Sequence, residues 1–106
     1  MAGNRPPTSL VPTNYVALIN MFSENDYKND NSFFADLKED VGEECKKYKE
    51  LVDVFVATTS PCGAVFVIFK DPMSAVNCAK NMDGRIFNGR PISSYCISEE
   101  TLKEEL

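Results

Sequence analysis

The sequence predicts an α+β fold, a ferredoxin-like β-α-β-β-α-β sandwich in which a four-stranded antiparallel sheet is backed by two helices and followed by a short C-terminal helix. Three observations predict it. Four short runs are β-branched and aromatic or alternate in polarity, two longer segments repeat apolar residues every three or four positions, and Gly, Pro, Asn and Asp cluster between them. Two βαβ-like halves in 106 residues fit one such sandwich and leave little room for a second domain.

Residues 1–13, polar and carrying Pro6, Pro7 and Pro12, are expected to form a flexible N-terminal tail, and residues 14–106 the folded domain. Tyr15-Val16-Ala17-Leu18-Ile19 is a strand, and Asn20 to Ser32, rich in Asn and Asp, reads as a loop. Phe33 to Tyr48 sets Phe34, Leu37, Val41, Cys45 and Tyr48 at helical spacing, with Asn31 or Ser32 available as N-cap. Gly42 is a weakness of about 1 kcal/mol against Ala in its middle. Val52, Val54 and Val56 alternate with Asp53, Phe55 and Ala57 as a strand, Thr58 to Gly63 turns the chain, and Ala64 to Phe69 is a strand buried on at least one face. Asp71-Pro72 supplies an N-cap and a first-turn proline to a helix with Ala75, Cys78, Ala79 and Met82 inward, and Gly84 stops it. Asn88-Gly89 is a turn, and Ile92 to Cys96 is the last strand. Glu99 to Leu106 forms a short acidic helix. Ile97, Leu102 and Leu106 either fold back across the sheet or leave that helix frayed in solvent.

Composition narrows the function. Eleven Lys and Arg stand against sixteen Asp and Glu, giving a net charge of −5, which argues against wrapping duplex DNA or coating an acidic membrane. The chain has no His, the commonest general base and metal ligand, and no nucleophile set beside a base, so an enzyme is not expected. No apolar run reaches the roughly 18 residues of a membrane span, and the N-terminus lacks an apolar signal core. Cys45, Cys62, Cys78 and Cys96 form no close pair of the kind that holds zinc, and no cofactor is expected. Two disulfides are arithmetically allowed, but Cys45 and Cys78 fall on apolar helix faces, where free thiols act as small hydrophobes, and a reducing compartment fits better.

Many functions share this fold, so the sites must decide. The RNA recognition motif, the commonest small domain of this topology, stacks bases on aromatic residues of its sheet. In the first-strand hexamer Val16-Ala17-Leu18-Ile19-Asn20-Met21, Ala17 stands where an aromatic is expected. In the third-strand octamer Cys62 to Phe69, Cys62 replaces the basic residue and Ala64 the first stacking ring, leaving Phe66. Ordinary RNA binding is therefore disfavoured, although Phe55, Phe66 and Tyr95 form an RNA-facing or otherwise covered apolar sheet surface. On the first helix, Asp36, Asp40 and Glu44 recur every four residues and share a face, thickened by Glu39 and Glu43. By itself such a stripe reads as a solvated helix face. Alone, Arg85 is as readily a surface cation, and Phe87 a core residue closing its loop.

Together with Leu18-Ile19-Asn20-Met21, the helix segment Glu39 to Tyr48 and the degraded sheet signatures, Gly84-Arg85-Ile86-Phe87 resembles the UHM family, variants of the RNA recognition motif found in pre-mRNA splicing auxiliary factors. The resemblance runs from about Thr13 to Cys96. Cys62-Gly63 is similar to the auxiliary-factor large subunit, whereas Asp71-Pro72 and Asp83-Gly84-Arg85 are similar to the Tat-specific splicing factors. Ile86 departs from members that carry Trp, Lys or Tyr there, which leaves ligand preference open. The resemblance implies a nuclear protein-interaction domain of a longer splicing factor. Its partner would be a basic peptide from another splicing protein whose Trp enters a pocket between the first helix and the Arg-x-Phe loop. Phe87 would stack on the indole, Arg85 would bridge to Glu44, and Asp36 and Asp40 would face the ligand's cations. RNA contact would be weak or indirect. The alternative is a weak single-stranded RNA-binding domain using Phe55, Phe66 and Tyr95.

Overall fold

The computed structural model describes residues 13–87 and 89–105. The chain runs through β1 (Tyr15–Ile19), a one-turn helix α1 (Glu24–Tyr27), α2 (Phe33–Cys45) with a 3-10 turn over Lys46–Tyr48, β2 (Leu51–Val56) and β3 (Val65–Phe69). It continues through α3 (Pro72–Met82), the two-residue strands β4 (Ile86–Phe87) and β5 (Arg90–Pro91), β6 (Ser93–Ile97) and α4 (Glu99–Glu105). The main sheet has the order β2-β3-β1-β6, antiparallel throughout, and β4 pairs with β5 in a separate hairpin. This is the ferredoxin-like sandwich expected.

Strand register explains the two faces. Val54, Val67, Val16 and Cys96 lie opposite one another across the four strands, and all four are buried. Against this row pack Leu37, Val41 and Cys45 of α2 and Ala75, Cys78, Ala79 and Met82 of α3. Small residues on α3 let it sit close to the sheet. The Sγ atoms of Cys45 and Cys78 meet at 3.8 Å between the helices as free thiols. Sharing a hydrogen bond with Cys45 and burial both push the Cys78 thiol up. The neighbouring row, Phe55, Phe66, Ala17 and Tyr95, faces the other way. There α4 lays Leu102 against Ala17, Ala57, Ala64, Phe66 and Ile97. The helix therefore covers the sheet; Leu106 lies outside the described residues. So does the expected tail except Thr13, whose hydroxyl already bonds the carbonyls of Tyr15 and Ile97.

Several expectations need correction. The loop over Asn20 to Ser32 contains α1, started by Ser23, whose backbone N–H donates to the Asp26 carboxylate at 2.8 Å. Helix α2 ends at Cys45 rather than Tyr48, and the chain leaves through Lys49 and Glu50, both at positive φ. Ser32 occupies the N-cap, but its hydroxyl binds the carboxylates of Asp30 and Asp36 rather than the helix backbone. A register shift between Leu51 and Asp53 turns Val52 outward, to 60% exposure. The last strand begins at Ser93, because Ile92 is spent closing the hairpin base: its N–H donates to Arg85 and its carbonyl accepts from Gly84.

Candidate functional site

Two elements build the site. Helix α2 turns Leu37 and Val41 into the core, so residues 36, 40 and 44 fall together on the neighbouring strip of its surface. The hairpin is set by Gly84 and Gly89, at φ +83° and +84°, conformations that favour glycine. Along β4, side chains alternate: Ile86 points out at 66% exposure, while Arg85 and Phe87 share the side toward α2. This period of two is why the motif is Arg-x-Phe.

Phe87 from the hairpin and Phe33, Asp36, Leu37 and Asp40 from α2 line one cleft of about 380 Å³. One turn beyond Asp40, Glu44 Oε2 meets Arg85 Nη1 at 2.7 Å and Lys47 Nζ at 2.6 Å. Lys47 and then Arg85 hold the Glu44 carboxyl below its usual range, and Glu44 raises Arg85 in return. Of the residues singled out in the sequence, Asp36, Asp40 and Phe87 share the cleft, and Glu44 and Arg85 pin the hairpin to α2 beside it. Its walls are apolar rings and a leucine, its rim is two carboxylates, and it suits a flat apolar group on a cationic segment.

Glu39 and Glu43 do not thicken this patch. They line a separate groove of about 530 Å³ against β2 with Lys38 and Lys46, and Glu43 pairs with Lys46 at 2.8 Å. On the sheet, Phe66 is 2% exposed beneath α4 rather than displayed, Tyr95 is half-buried, and Phe55 stays 39% exposed. A space of about 100 Å³ remains under the cover beside Ala17, Ala64, Phe66 and Tyr95.

Two features of the site were not anticipated. Arg90 pairs with Asp26 at 2.9 Å, both side chains largely buried, and ties the second hairpin strand to α1. The Ser23 backbone hydrogen bond and then Arg90 hold the Asp26 carboxyl below its usual range. Phe33 joins Phe22, Tyr27 and Phe34 in an aromatic cluster at the start of α2. Its spacing to Asp36 and Asp40, three and seven residues, was the signal that it shares their face. Among the described residues, no group of three or more His, Cys, Asp or Glu is placed to hold a metal ion, and no helix is long and apolar enough to cross a membrane.

A model of the RNA recognition motif family matches residues 37–93. The 17S U2 SnRNP complex component HTATSF1 of Mus musculus is 32% identical over 88 residues, 83% of this chain and 12% of that protein. The serine/threonine-protein kinase Kist of Homo sapiens is 32% identical over 94 residues, 81% of this chain and 22% of the kinase. The chain thus spans only a small part of either relative. A solved structure described as that of the RNA15 RRM superposes with a TM-score of 0.61 at 18% identity, over 88% of this chain and 99% of that one, which speaks to the fold.

Proposed function

The chain belongs to the RNA recognition motif family, and on that premise we propose that it binds a protein rather than reading RNA on its sheet. Its ligand is a basic linear peptide, and a single Trp of that peptide occupies the cleft between α2 and the hairpin. The observation that carries this reading is the cleft itself, in which Phe87 faces Asp36 and Asp40 while the Glu44–Arg85 pair anchors the loop that presents the ring. Burying an indole removes roughly 150–250 Å², worth about 4–6 kcal/mol at ~25 cal/mol per Å² before the costs of association. One such anchor with screened charges suits a regulated contact. The similarity to a U2 snRNP component supports a peptide from another splicing protein, and a nuclear setting.

The chain has no Trp, so the indole emission of an added peptide reports binding without background. A basic peptide with one Trp is expected to bind with a blue-shifted emission. Its Trp→Ala version should bind far less tightly in calorimetry. Phe87→Ala should weaken the Trp peptide by about 2 kcal/mol or more, the size of an interface anchor. Because the half-buried ring also packs on the core, the melting temperature should fall modestly, and binding is read well below it. Equal binding of the two peptides removes the reading.

A second reading, weak single-stranded RNA binding, is favoured by Phe55, which stays accessible directly opposite Phe66. It requires α4 to leave the sheet, and it predicts salt-sensitive RNA binding that Phe55→Ala and Phe66→Ala both abolish.

A further inference from the structure

We propose that Phe33 is a specificity-determining residue, the second ring of a clamp whose first ring is Phe87, so that the cleft selects an indole over an aliphatic anchor. This rests on the peptide reading above and goes beyond it, because that reading needs only Phe87. The two rings come from different elements, the first turn of α2 and strand β4, and both line the same cleft.

Phe33 is fixed from behind. Its ring meets Phe34 at 5.5 Å and 73° and Phe22 at 6.4 Å and 69°, edge-to-face in both cases, and Phe22 is 4% exposed. A half-buried ring braced in this way has little rotamer freedom left to lose on binding. The opposite wall is held as firmly. Arg85–Glu44 ties the start of the hairpin to α2, and Arg90–Asp26 ties its end to α1, the helix whose Tyr27 packs on Phe22 and Phe34. A space with preset rings on two elements favours a flat, rigid, polarisable guest. The carboxylates of Asp36 and Asp40 at the rim add a second preference, since an indole carries an N–H donor and a leucine or phenylalanine side chain carries none.

The test compares two basic peptides that differ only in a Trp or a Leu at the anchor position. Each is titrated by calorimetry into the wild-type chain, Phe33→Leu and Phe87→Ala. Phe33→Leu is expected to weaken the Trp peptide about three- to tenfold, the range for loss of one aromatic pair, and to leave the Leu peptide nearly unchanged. Equal loss for both peptides, or no loss for either, overturns the clamp while leaving the peptide reading intact. Insensitivity of the Trp peptide to Phe87→Ala overturns the peptide reading itself. Because Phe33→Leu also touches the aromatic cluster, the wild-type complex provides a check independent of folding. Intermolecular NOEs from the indole to both the Phe33 and Phe87 rings are expected, and contacts to Phe87 alone sink the proposal.

Discussion

Glu44 is where the hairpin and the end of α2 converge, since one carboxylate oxygen takes both Lys47 and Arg85. Asp26 plays the same part for α1, with the Ser23 N–H and Arg90. Both carboxyls are held below their ordinary values of 4.5 and 3.8. A depressed folded-state pKa means that the stabilisation is fully present above the unfolded value and disappears as pH falls through the folded one. The two tethers are therefore constant across neutral pH and are lost only as pH falls below the ordinary carboxyl values of 4.5 and 3.8. Hydrogen exchange at the amides of Gly84 and Ile92, which donate across the base of the hairpin, reads this out, with protection expected to drop below those values. Glu44→Gln should show part of the same loosening near neutral pH. Equal protection on both sides of the window means that the ion pairs do not position the hairpin. The effect on global stability is small, because partly exposed pairs are screened by solvent.

At the scale of elements, glycine positions separate what the fold requires from what it tolerates. Gly63 sits at φ +64°, where a Cβ would lie 2.3 Å from the Phe22 carbonyl oxygen and 2.9 Å from its nitrogen. Gly63→Ala is expected to destabilise by about 2 kcal/mol or more, because neither the backbone nor its left-handed turn can give way. Gly42 is helical with nothing within 4 Å, so Gly42→Ala should stabilise by about 0.5–1 kcal/mol and leave peptide affinity unchanged. Urea denaturation checks both signs. The α4 cover rests on Leu102, and Leu102→Ala should cost about 2 kcal/mol, the low end for a buried leucine at a contact between two elements. Faster exchange at Ala17 and Phe66 without a change at Val41 would localise that loss to the cover. The same scale explains what could be read from the residues. The apolar, β-branched and aromatic runs over 15–19 and 64–69, the alternation of Val52, Val54 and Val56, and the helical spacing of Leu37, Val41 and Cys45 are long enough to be recognised, and they gave the sandwich. One helical turn at Glu24–Tyr27 and two-residue strands at Ile86 and Arg90 are shorter than any period. The Ser23–Asp26 capping box is a local signal for the helix, but Asp26 with Arg90 and Gly84 with Ile92 are tertiary partners that a local period does not encode. Phe33 was visible as a helix residue. Its place in the cleft depended on a hairpin that the sequence marked only by its turn.

For the molecule as a whole, the net charge of −5 is divided between two layers. Asp36 and Asp40 lie on α2, against one face of the sheet, while Glu99, Glu100 and Glu104 lie on α4, which covers the other. Layer spacing puts the two groups on the order of 20 Å apart, beyond the roughly 8 Å over which charges act in physiological salt. A basic ligand at the cleft therefore feels Asp36 and Asp40 and is nearly blind to α4, whereas a ligand on the sheet feels α4 first. Added salt should slow association with a basic Trp peptide and barely change its dissociation, the pattern of electrostatic steering toward a short-range anchor. Asp40→Lys should flatten that salt dependence, and Glu100→Lys should leave it intact. Stopped-flow measurement of indole emission gives both rates. If Glu100→Lys flattens the slope and Asp40→Lys does not, the ligand sits on the sheet under α4, and the acidic strip of α2 is only a solvated helix face.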